Sequence, residues 1–265
     1  MSGHLEMTRS EPSPLRGLVW LSARECLRVS KLWTQTVLAS VISSALFILV
    51  FGLSLGSRIH EIDGFRYQEF IVPGLIAMAM AQAAYSNNSS SIFQARSDRY
   101  INDVLAAPMR SWQMNLGLSI GGVFRSVLIG AALMAIAIPL TDAPVVHPAV
   151  LLGATLLLVA LFGALGVIVG IYAETFDHHT FVNNIVILPL TFLGGVFYSV
   201  SILPAPWYEL SHANPLFYVV STMRYGFLGV SDVAAWLAFL VTAAMAAVML
   251  AWSQYLFSTG RRLKP

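Results

Sequence analysis

Six long apolar stretches constrain the fold of this chain more than any other feature of its sequence. Each is longer than the roughly 20 residues that an α-helix needs to cross the hydrocarbon core of a membrane. Arg125 is the only Lys, Arg, Asp or Glu within them, and only 11% of the 265 residues are charged. A typical soluble domain carries about 25% charged residues. The sequence therefore predicts an all-α membrane protein with six transmembrane helices, at residues 32–55, 70–95, 111–140, 143–173, 178–208 and 233–260.

The stretch 188–232, between the last two spans, is interrupted too often to form a plain transmembrane helix. Its helix-breaking residues are Pro189, Gly194, Gly195, Pro204, Pro206 and Pro215. Aromatic side chains such as Trp207 gather around these breaks, and they favour the membrane–water boundary. Irregular backbone is tolerated at membrane depth only where protein covers it or where it lines a wet cavity. We therefore predict a broken re-entrant segment in the outer leaflet, with Glu209, His212 and Arg224 at the outer surface.

This stretch and three upstream segments carry a set of motifs in a fixed order. They are Gly56-Ser57-Arg58-Ile59, Phe70-Ile71-Val72-Pro73-Gly74-Leu75, Thr175-Phe176-Asp177, Gly194-Gly195-Val196-Phe197-Tyr198-Ser199, Leu203-Pro204, Asn214-Pro215 and Arg224-Tyr225-Gly226-Phe227. Together they resemble the signature of ABC-2 type permeases, the membrane subunits of ABC exporters. The nearest branch looks like the YadH, daunorubicin-resistance and nodulation-factor exporters. The resemblance implies a single ABC-2 type transmembrane domain over residues 1–265, located in the bacterial inner membrane.

The resemblance also implies what such a permease works with. It would form a homodimer, or a heterodimer with a sister permease, and couple to two copies of a separate ABC ATPase subunit. ATP and Mg would be bound by that partner, because this chain lacks the GxxxxGK[ST] loop of P-loop proteins. The expected cargo is amphipathic, lipid-like, drug-like or glycan-type, and it is moved out of the cytoplasm. The chain is also expected to contact membrane lipids and to bind no nucleic acid.

Other function classes find less support in the sequence. The HExxH motif is absent, and no nucleophile with a neighbouring base is evident within the spans, so no enzyme activity is expected. The single cysteine, Cys26, excludes an intrachain disulfide. An ion-coupled secondary transporter of hydrophobic solutes is the alternative, but it would need paired intramembrane acids. A structural membrane scaffold would not need the broken segment.

The distribution of basic residues predicts the orientation, because Lys and Arg are retained on the cytoplasmic side of a membrane. With six spans and a cytoplasmic N-terminus, the outside segments hold three basic residues, Arg58, Arg66 and Arg224. The inside segments hold eleven, Arg9, Arg16, Arg24, Arg28, Lys31, Arg96, Arg99, Arg110, Arg261, Arg262 and Lys264. Both termini are therefore expected in the cytoplasm.

The N-terminal segment 13–31 is predicted to form an amphipathic interfacial helix. Its basic residues fall at spacings that place them on one helical face, namely Arg16, Arg24, Arg28 and Lys31. That face would lie towards lipid headgroups or the cytoplasm. An ordinary basic flank of the first span is the alternative. Residues 1–12 are polar without periodicity, and disorder is expected there.

The longest inside loop, 93–110, contains a second amphipathic segment. Between Ser97 and Ala107 one side would carry Tyr100, Ile101, Val104 and Leu105. The other side would present Asp98, Arg99, Asn102 and Asp103 to a partner. In the family that the chain resembles, this position holds the cytoplasmic coupling helix, which sits in a cleft of the ATPase. A solvated connector of mixed charge is the alternative.

The other inside loop, 173–180, carries Glu174, Asp177, His178 and His179. A metal site would need three or four converging ligands, but adjacent histidines on a helix point about 100° apart. A second contact with the ATPase through Glu174 and Asp177 is the favoured interpretation. A helix cap formed by Asp177 is the alternative.

Side chains within the spans suggest a substrate path. Arg125 lies near the middle of the third span, where a charge is costly unless it is paired or hydrated. It is either part of a substrate path or a structural tether between helices. Apolar and aromatic walls suited to an amphipathic cargo are expected from Phe47, Phe51, Phe192, Phe197 and Tyr198. Ordinary lipid-facing surface is the alternative for each of them.

Two glycine pairs, Gly117-xxx-Gly121 and Gly166-xxx-Gly170, allow helices to approach closely. Such pairs serve either dimerisation or packing within one subunit. The sequence favours packing, because Gly-rich spans contain this spacing often by chance.

Overall fold

The computed structural model describes residues 14–56, 58–59 and 61–263 of the chain. Several predictions concern positions outside these residues. They are the disorder of residues 1–12, the start of the interfacial helix at Ser13, and the contributions of Arg9 and Lys264 to the count of basic residues. Ser57 of the upstream motif also lies outside the described residues.

The described chain is built almost entirely from helices. They are α1 Pro14–Lys31, α2 Ala39–Gly56, α3 Tyr67–Ser97, α4 Ile101–Ala106, α5 Ser111–Thr141, α6 Pro148–Tyr172, α7 Phe176–Val182, α8 Leu188–Leu193, α9 Trp207–His212, α10 Pro215–Leu228 and α11 Ala235–Thr259. π-helical turns, Thr34–Leu38 and Asn183–Ile187, precede α2 and α8, and a 3-10 turn, Val200–Ile202, precedes α9. Two antiparallel strands, β1 Glu61–Ile62 and β2 Phe65–Arg66, join α2 to α3.

Four helical segments of the described chain are long and apolar enough to cross a membrane. They are Thr34–Gly56, Ser111–Thr141, Pro148–Tyr172 and Ala235–Thr259. Each falls within or beside a predicted span, so the all-α membrane class is confirmed. The second and fifth predicted spans are not among these four, and the number of six spans stays a prediction.

Helix α3 is the centre of the bundle and packs against α2, α5, α6 and α10. Its polar run lowers its mean hydropathy, but Asn87, Asn88, Ser89 and Ser91 are all buried. Asn88 Nδ2 donates to the Gly163 carbonyl of α6 at 3.1 Å, so this polar side chain has a hydrogen-bond partner inside the bundle. Because protein rather than lipid encloses α3, such polar groups are tolerated at its centre.

The predicted packing role of the glycine pairs is confirmed. A Cβ at Gly166 would lie 2.4 Å from the Tyr85 carbonyl of α3, so α6 approaches α3 only because glycine stands there. On α5, a Cβ at Gly117 would meet Leu21 of α1 at 2.7 Å. Both pairs thus bring helices of one subunit together.

The fifth predicted span, 178–208, is wrong in its extent. Its helical part runs through α7, the π-helical turn and α8, and it ends at Leu193. Pro189 does not break it, because the wider π-helical turn before α8 accommodates the missing N–H and the bulk of the ring. The chain leaves the helix at Gly194 and Gly195, and Gly195 has a φ of 75°, a left-handed conformation that glycine adopts without strain.

Two short helices, α9 and α10, lie between Pro204 and Gly229. Pro215 is the first residue of α10 and Asn214 is its N-cap, since Asn214 Oδ1 accepts from the Leu216 amide at 2.9 Å. At 1.5 Å per residue, α10 is roughly 21 Å long, shorter than the hydrocarbon core of a bilayer.

The bundle has two distinct ends. At one, which we call the α4 end, a buried cluster joins α1, α4, α5, α6 and α11 through Leu21, Ile101, Leu118, Ile168, Leu256 and Leu263. At the other, the hairpin end, β2 approaches the α5–α6 loop, with Arg66 Nη2 3.6 Å from Asp142 Oδ2. That loop bonds to the end of α10, where the Val146 amide donates to the Phe227 carbonyl at 3.0 Å.

Candidate functional site

Four of the predicted aromatic residues form one continuous row of rings, which we call the aromatic strip. Phe47 stacks on Phe51 at a centroid distance of 5.7 Å, and both belong to α2. Phe51 contacts Phe197 at 5.1 Å, and Phe197 stacks on Phe192 of α8 at 5.7 Å. Tyr198 holds this end in place, because its hydroxyl donates to the Phe192 carbonyl at 2.9 Å. The strip therefore joins α2 to the end of α8, and Phe47 and Phe192 are exposed.

Arg125 lies in a polar cavity of about 320 Å³ between α2, α3 and α5, which we call the Arg125 cavity. Its polar lining consists of Ser40, Ser43, Ser44, Gln82, Ser86, Arg125 and Asn183. Phe47 of the aromatic strip forms part of the same wall. The polar cavity and the aromatic strip are therefore continuous, so the structure brings all six predicted path residues together.

Among the residues that the structure describes, no group holds the Arg125 guanidinium in the way that a tether would require. Within the described chain its Nε is buried without a hydrogen-bond partner, and no described ion pair includes it. Asn183 Oδ1, in the π-helical turn before α8, is also buried without a partner among the described residues. Arg125 and Asn183 both line the Arg125 cavity, so buried polar atoms without a described partner occur together at its wall.

At the α4 end, the predicted amphipathic segment forms the short helix α4. Ile101 and Val104 pack inwards and are buried. Tyr100, just before the helix, lies under the Arg24 guanidinium of α1 at 4.0 Å from the ring centroid. Burial raises the pKa of the Tyr100 hydroxyl above its usual value, which fits a ring that is inserted between α1 and α4. The predicted partner-facing residues Asp98, Arg99, Asn102 and Asp103 are all exposed.

The loop between α6 and α7 is fixed to the end of α3. Arg96 Nη1 donates to the Ala173 carbonyl at 2.9 Å, and Phe176 packs edge-on against Phe93 at 6.1 Å. The predicted contact residues Glu174 and Asp177 are exposed. The N-cap position of α7 belongs to Thr175, so the predicted alternative of an Asp177 cap is wrong.

The two histidines of that loop are held apart. His178 Nδ1 accepts from the Glu174 amide at 3.2 Å, whereas His179 is buried with its ring against Phe176. No cluster of three or more His, Cys, Asp or Glu side chains occurs in the described ranges of the chain.

Helix α1 combines an exposed face with a buried polar contact. Leu15, Val19, Trp20 and Leu27 are exposed apolar residues, as expected of a helix that meets lipid. The prediction that Arg28 faces outwards is wrong, because it turns inwards to Glu25, with Arg28 Nη2 3.0 Å from Glu25 Oε2.

Glu25 was missed by sequence reasoning. It is fully buried, and the Ser91 hydroxyl of α3 donates to its Oε2 at 2.8 Å. An acidic residue three positions before an arginine on a helix is a usable signal for such a pair. That signal gives no indication of whether the pair faces the solvent or the bundle.

The prediction that Arg224 lies at the outer surface is wrong, because the side chain is buried inside the protein. Its guanidinium forms an ion pair with Asp232, donates to the Gly195 carbonyl and lies 4.0 Å from the centre of the Phe70 ring. The reason is Asp232, which sequence reasoning missed. Its Oδ1 also accepts from the Ser199 hydroxyl at 2.6 Å.

The remaining residues of the predicted broken segment differ in their burial and contacts. Gly194 and Gly195 are buried, and Asn214 Nδ2 donates to the Leu190 carbonyl of α8. Pro189, Pro204 and Trp207 are exposed, and Pro215 is partly buried. The segment is therefore fixed to α3, α8 and the α10–α11 loop by side chains.

Comparison with known proteins gives consistent matches. A family model described as ABC-2 type transporter matches residues 16–228. The inner membrane transport permease YadH of Escherichia coli (strain K12) is 42% identical over 249 residues, which are 93% of this chain and 95% of YadH. Nodulation protein J of Sinorhizobium fredii (strain NBRC 101917 / NGR234) is 26% identical over 201 residues, 72% of this chain and 75% of that protein. Nodulation protein J of Rhizobium leguminosarum bv. viciae is 25% identical over 223 residues, which are 82% of this chain and 85% of that protein.

Proposed function

The chain belongs to the ABC-2 type transporter family, and we propose that it is the membrane-spanning permease subunit of an ATP-driven exporter in the bacterial inner membrane. It would act as a homodimer, or as a heterodimer with a sister permease, and bind two copies of an ABC ATPase. ATP and Mg would be held by the ATPase, and this chain would need no cofactor of its own.

The observation that carries this proposal is the surface of the α4 end. Helix α4 is anchored to the bundle by the buried side chains of Ile101 and Val104. Its polar side chains Asp98, Arg99, Asn102 and Asp103 are exposed, as are Glu174 and Asp177 of the α6–α7 loop. A rigidly supported polar surface of this kind suits contact with a moving partner. Because Tyr100 packs under Arg24 of α1, a displacement of α4 would also act on the N-terminal helix.

The proposed path consists of the Arg125 cavity and the aromatic strip. Together they offer a polar site of about 320 Å³ next to apolar rings, a combination that suits an amphipathic, lipid-like, drug-like or glycan-type cargo. ATP binding in the partner would bring the ATPases together, and α4 would transmit that movement to the spans along this path. The residues that line the Arg125 cavity include no Asp or Glu, so the structure adds no support for an ion-coupled transporter.

The two ends of the bundle support a particular arrangement in the membrane. We propose six spans in one domain over residues 1–265, with α1 in the cytoplasmic interface and both termini in the cytoplasm. The α4 end, with the basic residues of α1, would then be cytoplasmic. The segment 188–232 would be re-entrant in the outer leaflet, where Trp207 and Tyr208 are exposed.

Copurification tests the proposal directly. The tagged full-length chain is coexpressed with a candidate ATPase that has a Walker A motif and is encoded beside it. We expect the two to purify as a membrane complex of two permeases and two ATPases. ATPase activity should respond to the permease in proteoliposomes. A chain that binds no such ATPase, either alone or with a sister permease, would contradict the proposed function.

A further inference from the structure

We propose that the Arg125 cavity binds the anionic group of an amphiphile, a phosphate, sulfate or carboxylate, whose apolar part lies along the aromatic strip. This inference rests on the proposed transport path and specifies the chemistry of what the path takes. It assigns to Arg125 the role of the charged recognition group.

The first argument is the unbalanced charge of Arg125. It is near the middle of α5, and its Nε is buried without a partner in the described chain. A cation at this depth is costly unless it is paired or hydrated. Among the described residues, the guanidinium of Arg28 is a second positive charge that acts on it through space, and Arg28 is itself paired with Glu25. The site therefore has an excess of positive charge.

The second argument is the chemistry of the lining. Ser43 and Ser44 of α2 contribute hydroxyls, and Gln82 of α3 contributes an amide, whereas the Ser40 hydroxyl donates to the Thr36 carbonyl. Hydroxyls and amides can donate hydrogen bonds, and a guanidinium offers a planar fork that matches the oxygens of a carboxylate or phosphate. Since no lining residue is acidic, the cavity combines several donors with one fixed positive charge. An oxyanion is the ligand that such a set recognises.

The third argument is the position of the aromatic strip. The cavity has a volume of about 320 Å³, at the lower end of ligand pockets, and so suits a headgroup rather than a whole amphiphile. Its wall includes Phe47, from which the ring contacts continue through Phe51 to Phe197. A ligand whose charge meets Arg125 would therefore have apolar rings beside its tail.

Dodecyl phosphate is the probe for this site. The full-length protein is placed in phosphatidylcholine nanodiscs, and binding is measured by calorimetry, with neutral dodecyl maltoside and inorganic phosphate as comparison ligands. We expect dodecyl phosphate to bind and the other two to bind at least about tenfold more weakly, because each lacks one half of the recognition. R125Q should weaken dodecyl phosphate binding about tenfold or more, and R125K should give an intermediate affinity.

A second pair of variants keeps the test decisive if R125Q does not fold. Q82E places a carboxylate in the cavity, where it can pair with Arg125 and compete with the ligand. It should reduce the affinity for dodecyl phosphate about tenfold, whereas Q82L, which adds no charge, should reduce it much less. Equal affinity of the wild type and Q82E would overturn the assignment.

The lipid composition separates the two sources of such a ligand. If phosphatidylglycerol in the nanodisc competes with dodecyl phosphate in the wild type but not in R125Q, a membrane lipid is an occupant of the site. If phosphatidylglycerol does not compete, the site is selective for cargo, and the proposal still stands. No binding of dodecyl phosphate in either nanodisc would overturn it. None of these measurements uses the ATPase. A negative binding result would therefore overturn only the ligand assignment, and a negative copurification result would overturn only the proposed function.

Discussion

At the residue scale, Arg125 and Arg224 show two different ways of keeping a guanidinium inside a membrane protein. Arg224 is surrounded by partners of this chain, namely Asp232, the Gly195 carbonyl and the Phe70 ring. Arg125 has no described ion pair. The difference supports a structural role for Arg224 and agrees with the ligand-binding role that we propose for Arg125.

Removing the charge of Asp232 should therefore destabilise the protein strongly. D232N would leave Arg224 buried without its counter-ion, and breaking a buried pair in this way costs about 3–5 kcal/mol. We expect a clearly lower melting temperature of the detergent-solubilised protein, measured by the loss of the monodisperse fraction on heating.

The matched control is D142N. Asp142 pairs with Arg66 at 3.6 Å, but 80% of its side chain is exposed, so its loss should change the melting temperature little. The double variant R224M/D232L, which replaces the whole pair by apolar groups, should recover much of the stability. Equal melting temperatures for D232N and D142N would show that the ion pair does not stabilise the fold.

The native cysteine should react slowly with alkylating reagents. Burial, and next the neighbouring Glu25 carboxylate, raise the pKa of the Cys26 thiol. A higher pKa means less thiolate at pH 7.5, and thiolate is the reacting form. The rate of iodoacetamide labelling between pH 7 and 9.5 should stay below that of S97C in a C26S background, because Ser97 is exposed. Equal rates at pH 7.5 would contradict the raised pKa.

At the element scale, two helices depart from regular apolar spans for identifiable reasons. Helix α3 carries a polar run because its neighbours, rather than lipid, enclose it. The segment from α7 to α8 ends early because glycine allows the chain to turn, and Asn214 and Asp232 bind the turned segment to its surroundings. Helix α4 is too short to be stable alone, and it depends on the apolar contacts beneath it.

Reversing a charge on α4 should weaken the contact with the ATPase. Asp103 is exposed, so D103R should leave the fold and membrane insertion intact. We expect ATPase binding to fall at least about tenfold if Asp103 faces a basic group of the partner. D142R, a charge reversal at the hairpin end, is the matched control and should bind normally. Unchanged transport and ATPase stimulation in D103R would argue against α4 as the coupling element.

The turn after α8 should tolerate no side chain at Gly195. In G195A the residue would have to keep a φ of 75°, and its Cβ would lie 2.7 Å from Val200 Cγ2. The left-handed conformation alone costs about 1–2 kcal/mol for a residue with a Cβ. We expect loss of stability and of export, with ATPase binding preserved because the α4 end is distant.

The matched control for that variant is G260A. Gly260 also has a positive φ, 66°, but nothing lies within 4 Å of a Cβ there. G260A should therefore lose only the stability that the left-handed conformation costs a residue with a Cβ, and it should keep export. If G195A exported as well as G260A, the close packing of the turn would not matter for transport.

At the scale of the whole molecule, the two ends of the bundle have different contents. The α4 end gathers α1, α4, the α6–α7 loop and the end of α11, and with them most of the basic residues. The hairpin end gathers the β-strands, the α5–α6 loop and the ends of α10 and the turn after α8. This separation fits a molecule with one face for the ATPase and one face for release of the cargo.

Cysteine labelling in intact cells tests which end is cytoplasmic. In a C26S background, S97C and T259C at the α4 end should be shielded from membrane-impermeant thiol reagents. S201C and D142C at the hairpin end should react, because both positions are exposed. Ser211 is less suitable as an outside position, since it is fully buried and its hydroxyl bonds to the Trp207 carbonyl. Labelling of S97C in sealed cells would reverse the proposed orientation.

The sequence alone determined the features that depend on composition and on local pattern. Long apolar stretches indicated membrane helices, the 3.6-residue period of 97–107 indicated the buried and exposed sides of α4, and the motif order indicated the family. Only the tertiary structure decided which polar side chains meet. Glu25 with Ser91, Arg224 with Asp232, and Arg125 with its cavity depend on helices packed across the bundle. The physical reason is that helical periodicity fixes the direction of a side chain around its own helix, whereas its neighbours depend on how that helix packs against the others.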